Sequence, residues 1–112
     1  MYIDSYDFGE IVINGKTYNS DVIIYKNQVD SPWHRREGHN LSLGDLAMVL
    51  EKKPEILIIG NGADGVMRVP ADVIAAIEAK GIKVMVKRTG DACDAYNDLE
   101  GKNVIAALHF TC

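Results

Sequence analysis

The chain has 112 residues, 47% of them hydrophobic and 25% charged, the size and composition of one domain (residues 1–112) able to bury roughly two-thirds of its unfolded surface without metals or disulfides. Twelve Lys and Arg against sixteen Asp and Glu give a net charge of −4, which argues against a broad nucleic-acid surface because duplex binding needs many clustered cations. No apolar run reaches the roughly 18 residues of a membrane span, and the opening Met1-Tyr2-Ile3-Asp4-Ser5-Tyr6-Asp7 has neither basic nor apolar leader character; no membrane partner and a cytoplasmic location are expected.

The first quarter reads as β structure. Residues 2–8, 11–13 and 16–18 are short runs separated by Gly9-Glu10 and Asn14-Gly15. Asn-Gly is the strongest short hairpin signal, because a type I′ turn needs positive φ at both central residues. An N-terminal β-meander is predicted. Residues 22–25 predict a further strand, and residues 26–40, with Pro32, Gly38 and no apolar period, predict a long loop.

Helices then alternate with short apolar strands. Leu43, Leu46, Ala47 and Leu50 recur at helical spacing behind Ser42 as N-cap, with Asp45 three residues on and Leu41 placed to staple onto Leu46. Pro54 must stop that helix, and Ile56-Leu57-Ile58-Ile59 has the continuous apolar character of a strand covered on both faces. A second helix is predicted over 71–80, between Pro70 and Gly81, and a strand over 82–86. A third helix, capped by Thr89 or Asp91, carries Ala92, Ala95, Tyr96 and Leu99 and closes at Gly101; residues 104–108 form the last strand. The fold class expected is α/β in three layers, an N-terminal β-meander docked on a mixed central sheet with flanking helices.

Trp33, Gly38-His39, Asp45-Leu46, Ile59-Gly60-Asn61-Gly62, Pro70, Gly81-Ile82 and, above all, Thr89, Ala92, Tyr96-Asn97 and Leu99 ahead of Val104-Ile105-Ala106-Ala107-Leu108 form a pattern. It resembles the small domain-of-unknown-function family that includes the adipogenesis-associated protein of mammals and a mitochondrial complex I assembly factor. The resemblance covers residues 8–108, and the chain looks like a stand-alone prokaryotic member. It implies a three-layer α/β fold and, from the eukaryotic members, a role exercised through protein contacts. It carries over no catalytic residue and no cofactor. The family usually has Gly-Thr-Gly where this chain has Gly60-Asn61-Gly62, so a hydroxyl role at that loop does not transfer.

Gly60-Asn61-Gly62-Ala63-Asp64-Gly65 matches the dinucleotide fingerprint, but that chemistry needs a helix N-terminus directly afterward. Val66-Met67-Arg68-Val69-Pro70 intervenes and reads as extended; the simpler reading is a tight turn after a buried strand. If the strands ending at Ile59 and Val86 are parallel neighbours, their following loops share one sheet edge. Gly60, Asn61, Gly62, Arg68, Lys87, Arg88 and Thr89 then make a candidate site for a small anion. The structural alternative leaves Lys87 and Arg88 solvated and Thr89 a cap.

Loop residues Trp33, His34, Arg35, Arg36 and His39 form the leading candidate for partner binding, since Trp and Arg are favoured at interface hot spots. Such a surface calls for an exposed apolar patch around Trp33; the structural alternative has Trp33 covering a sheet face. A homodimer through an open sheet edge is a further alternative. No nucleophile–His–acid arrangement and no zinc pattern emerges from His34, His39, His109, Cys93 and Cys112. No metal is therefore expected, and catalysis is left open. Asp91 and Asp94 are read as acids favoured by the helix dipole. Cys93 and Cys112 fall at the same end of a right-handed strand-helix-strand unit, leaving a disulfide open that a reducing cytosol would disfavour.

Overall fold

Turn chemistry sets the N-terminal architecture. β1 (Ile3–Asp7), β2 (Glu10–Ile13) and β3 (Lys16–Tyr18) pair antiparallel in that order. Asn14 and Gly15 take φ of 48° and 79°, as a type I′ turn requires, and the Asp4 carboxylate accepts the Gly15 amide at 2.7 Å. The expected meander is present. The computed structural model describes residues 1–111.

The second sheet comprises β4 (Val22–Ile24), β5 (Val29–Asp30), β6 (Ile56–Asn61), β7 (Lys83–Lys87) and β8 (Val104–His109), in the order β5-β4-β8-β6-β7. β6 runs parallel to both β7 and β8, whereas β4 is antiparallel to β8, so the sheet is mixed. Period-2 alternation sorts its side chains into two cores. Leu57, Ile59, Ile105 and Ala107 face α1 (Ala47–Lys52), α2 (Ala71–Glu78) and Trp33. Ile58, Val104, Ala106 and Leu108 face the meander and α3 (Thr89–Asp98). The arrangement is the three-layer α/β fold expected. Among the described residues no helix is long and apolar enough to cross a membrane.

Local signals were followed with instructive departures. Two residues of the expected loop over 26–40 form β5, pairing with β4. The helix expected from Leu43 opens as a 3-10 segment, Leu43–Leu46, before α1. Its first turn is held from outside: the Asp45 carbonyl accepts the Trp33 indole N–H at 3.0 Å, while the Asp45 carboxylate accepts the amides of Ser42 (2.9 Å) and Arg36 (3.0 Å). The Trp33 bond occupies a carbonyl that the α-helical ladder would otherwise use, while the carboxylate bonds cap the start of the segment. Leu41 and Leu46 share one core as the staple predicts. Lys53 closes α1 in the left-handed region at φ 48°, immediately before Pro54.

Gly60 fixes how closely α3 approaches the sheet. A Cβ there would lie 2.8 Å from Leu108 Cδ2, 2.9 Å from Thr89 Oγ1 and 3.3 Å from Thr89 Cα, so α3 can start against bare backbone only if the residue is glycine. Gly60→Ala is expected to destabilise the fold by about 1–3 kcal/mol through overpacking. Urea unfolding of variant and parent measures this; an unchanged midpoint would show that α3 moves away without cost.

Candidate functional site

Strand direction brings the polar residues to one place. β6 and β8 are parallel and in register, Asn61 opposite His109, so both strands present these residues at the same C-terminal end and on the same face. The chain leaves β6 through Gly62, whose φ is 107° and whose amide donates to Thr89 Oγ1 at 2.9 Å. The Thr89 hydroxyl donates to the His109 carbonyl, and the Thr89 amide donates to the Gly62 carbonyl at 3.1 Å. Thr89 thus joins the β6 loop, the start of α3 and the end of β8. Arg88 occupies the N-cap position of α3 and no side chain caps the helix there, correcting the expectation that Thr89 or Asp91 would do so. The hydroxyl is drawn to the neighbouring strands instead.

The second junction is Asp21, just ahead of β4. Its Oδ1 accepts the Phe110 amide at 3.1 Å. Its Oδ2 lies 2.8 Å from Arg35 Nη2 and 2.7 Å from His109 Nδ1. An ionised carboxylate only accepts, so the network assigns the ring proton to Nδ1, leaving Nε2 as the free nitrogen. Arg35 Nη2 also lies 3.1 Å from Nδ1 and bonds the Gly38 carbonyl at 3.1 Å, while the guanidinium stacks 4.6 Å from the Trp33 ring centroid. The Asp21 carbonyl accepts the Trp33 amide at 2.7 Å. Burial pushes the Asp21 carboxyl up, but hydrogen bonds from His109, the Phe110 amide and Arg35 outweigh it and hold the group below the ordinary carboxylate value.

The predicted partner-binding residues divide. Trp33 is only 6% exposed and belongs to the core, so the exposed apolar patch expected around it is not formed. Its indole satisfies Asp45, and its ring supports Arg35. The Arg35 side chain is 6% exposed. His34, Arg36 and His39 face solvent, with His39 edge-on to His109 at 5.6 Å between ring centroids. The Arg68 amide donates to the His39 carbonyl at 2.8 Å, and the Arg68 carbonyl accepts the Leu41 amide at 2.9 Å, binding this loop to the one after β6.

The predicted anion residues divide as well. The loops after β6 and β7 meet as expected, but through direct contact at Gly62, Gly65, Arg88 and Thr89. Lys87 pairs with Gly60 in register and lines a groove beside α3, on the face opposite Asn61. Three buried polar atoms near the junction have no hydrogen-bond partner among the described residues: Arg35 Nη1, His109 Nε2 and Asn61 Oδ1. Sequence reasoning missed Asp21 and His109 as site residues. The available signal was a lone acid directly before an apolar strand and a histidine ending another.

Cys93 is buried and its thiol is pushed up to about 12 by burial, with Asp94 adding to the effect, which makes it a poor nucleophile at neutral pH. Cys112, the other half of the disulfide considered above, lies outside the described residues. Asp91 and Asp94 are exposed and line a groove of about 510 Å³ with Asp4 and Tyr6. Among the described residues no cluster of three metal-ligating side chains forms.

The three-layer mixed sheet, with its polar junction at the parallel strand ends, defines a small α/β protein whose loops are tied down by buried side chains. The chain belongs to the family described as Protein of unknown function (DUF498/DUF598), whose model matches residues 3–109. It is 31% identical over 96% of its length to human NADH dehydrogenase [ubiquinone] 1 alpha subcomplex assembly factor 3 and equally so to the Bos taurus protein. It spans 60% of the length of those relatives. Among solved structures it is similar to conserved hypothetical protein PH1505 from Pyrococcus horikoshii OT3 (26% identity, TM-score 0.85, all of both chains). It is also similar to the structure named MT938 (27% identity, TM-score 0.80, 99% of this chain and 98% of that one).

Asp21 has a lowered folded-state pKa, so its contribution to stability is present above the unfolded value of about 4 and is lost as pH falls through the folded value. Asp21→Asn should cost about 2–3 kcal/mol at pH 7, since it strands Arg35, and should flatten the acid side of the stability profile below about pH 4. Urea midpoints from pH 2 to 7 check both; parallel acid limbs in parent and variant would contradict the role assigned to Asp21.

Proposed function

We propose that the chain is a single-domain, non-catalytic binding module, working in the cytoplasm, that docks a protein partner on the face presented by His34, Arg36 and His39. The observation that carries this reading is the Arg35–Asp21 pair, with side chains 6% and 15% exposed. It holds the loop in one shape, with Trp33 turned inward as its anchor and the neighbouring polar side chains turned out. A loop fixed before binding loses less entropy when it docks. Val66, 46% exposed and adjoining the Met67–Arg68 segment that pairs with this loop, adds apolar contact. Relatives named as assembly factors support a role exercised through protein contacts.

A photo-crosslinker replacing His34 should give a discrete adduct in a lysate of the source cells, whereas the same group at exposed Lys80 should not. Arg36→Ala with His39→Ala should reduce the adduct about tenfold, as expected for the loss of rim contacts of about 1 kcal/mol or slightly more in total, with little change in Tm. Equal crosslinking from both positions, or an adduct consisting only of a second copy of this chain, would overturn the reading.

A second reading, a small anionic ligand held at the same end of the sheet, is favoured by the unpartnered Arg35 Nη1 donor, while Asn61 Oδ1 and His109 Nε2 are acceptors that would meet a hydroxyl of the ligand and not its charge. Gly60, Gly62, Arg68, Arg88 and Thr89 lie at that end of the sheet, whereas Lys87 lines the groove on the opposite face. Inorganic phosphate should then raise Tm in a concentration-dependent way, and Arg68→Ala with Arg88→Ala should abolish the rise. A phosphate titration without effect on Tm would remove this reading.

A further inference from the structure

A sheet edge exposes backbone donors and acceptors that other chains can use, so folded proteins usually shorten or cover it. Two other edges of this molecule are managed in that way. β5, at one end of the main sheet, is two residues long. The outer side of β1 is closed by Asn97, whose Nδ2 donates to the Ile3 carbonyl at 2.8 Å and whose Oδ1 accepts the Ile3 amide at 2.9 Å.

β7 has neither protection. It is five residues long, lies at the other end of the sheet and, among the described residues, pairs with β6 alone. Val84 and Val86 pack on one core and Met85 on the other, yet none is fully buried, whereas four consecutive residues of β6 are. The outer edge accounts for the difference. On the α3 side it adjoins a groove of about 340 Å³, with Ile56, Met85, Ala95 and Leu99 as an apolar floor and Lys83, Lys87 and Asp98 at the rim.

Charge decides what fits this edge. Antiparallel pairing with a second copy centred on Met85 would set Lys83 against Lys87 twice, and like charges directly opposite destabilise a ladder. Parallel pairing does not close under two-fold symmetry. A strand with acids at the two outer positions meets both lysines with opposite charge, and an apolar residue midway between them lies over the groove floor.

We propose that the free edge of β7 takes up an extended segment of a protein partner in which two acidic residues, four positions apart, flank a central apolar one. Main-chain hydrogen bonds give the strand its place, and the Lys83, groove and Lys87 sequence gives it selectivity. This surface is distinct from the His34–Arg36–His39 face and does not depend on it.

The test uses a labelled peptide, Thr-Glu-Val-Leu-Val-Glu-Thr, titrated into the whole protein and read by fluorescence anisotropy and amide NMR. Binding should shift amides of residues 83–87 together with Ala95 and Leu99, and slow exchange at β7. Lys83→Glu with Lys87→Glu should weaken binding about tenfold while circular dichroism confirms the fold, and should restore affinity for the peptide carrying Lys in place of Glu. No binding at millimolar peptide, shifts confined to other surfaces, or equal affinity in the charge-reversed variant would overturn the proposal. So would sedimentation showing that the parent protein pairs with itself and that the reversal abolishes the pairing.

Discussion

One half-buried carboxylate holds together the end of the main sheet where β4 begins and β8 stops. Asp21 accepts from the backbone of Phe110 just beyond β8, from the His109 ring, and from Arg35 in a loop fourteen residues further along the chain, while its own carbonyl fixes Trp33. Removing a charge from water is expensive, and such a pair is tolerated only when its lone pairs are well occupied. Both Asp21 oxygens are occupied. The cost is therefore spread over contacts that set the position of the loop, the tautomer of the histidine and the end of the central sheet together.

Thr89 plays the corresponding part on the other side of β8. Its hydroxyl is both donor and acceptor, and it spends the donor on His109 and the acceptor on Gly62. Gly60 and Gly62 are thereby explained by packing: one lets Thr89 approach the strand, the other turns the chain at positive φ. The glycine spacing that resembles a dinucleotide fingerprint serves helix–sheet contact here. The first amide of α3 already donates to Gly62, and the next helix, α2, starts only at Ala71, so no free helix N-terminus follows the loop to receive a pyrophosphate.

The elements legible in the sequence were those governed by neighbours. Asn14-Gly15 announced its turn, Ile56 to Ile59 its double-sided burial, and Pro54 and Pro70 the limits of two helices, while α3 stops at Asp98 with Leu99 as C-cap, short of the expected close at Gly101. The direction of Trp33 was not legible, because a loop tryptophan can face a partner or its own core. What settles it is a carbonyl at Asp45 and a guanidinium at Arg35, both fixed by tertiary structure. Asp21 and His109 stand 88 positions apart, and nothing in local spacing relates them. An acid directly before one apolar strand and a histidine ending another were the only local signals, and only the β4–β8 pairing shows that the two residues meet.

The same physics gives the two ends of the sheet different surfaces. At the Asp21 end, much of the loop backbone is already satisfied: the Arg36 amide by Asp45, the Gly38 carbonyl by Arg35 and the His39 carbonyl by Arg68, so outward chemistry there is carried mainly by side chains. At the β7 edge the backbone itself is open and the flanking side chains are two lysines. Under the readings proposed above, a partner at the first end would be selected by the shape and charge of a preset loop, and one at the second would have to supply an extended backbone. Rigidity at the first follows from enclosing Arg35 and Trp33, and availability at the second from an outer edge of β7 that no strand among the described residues covers.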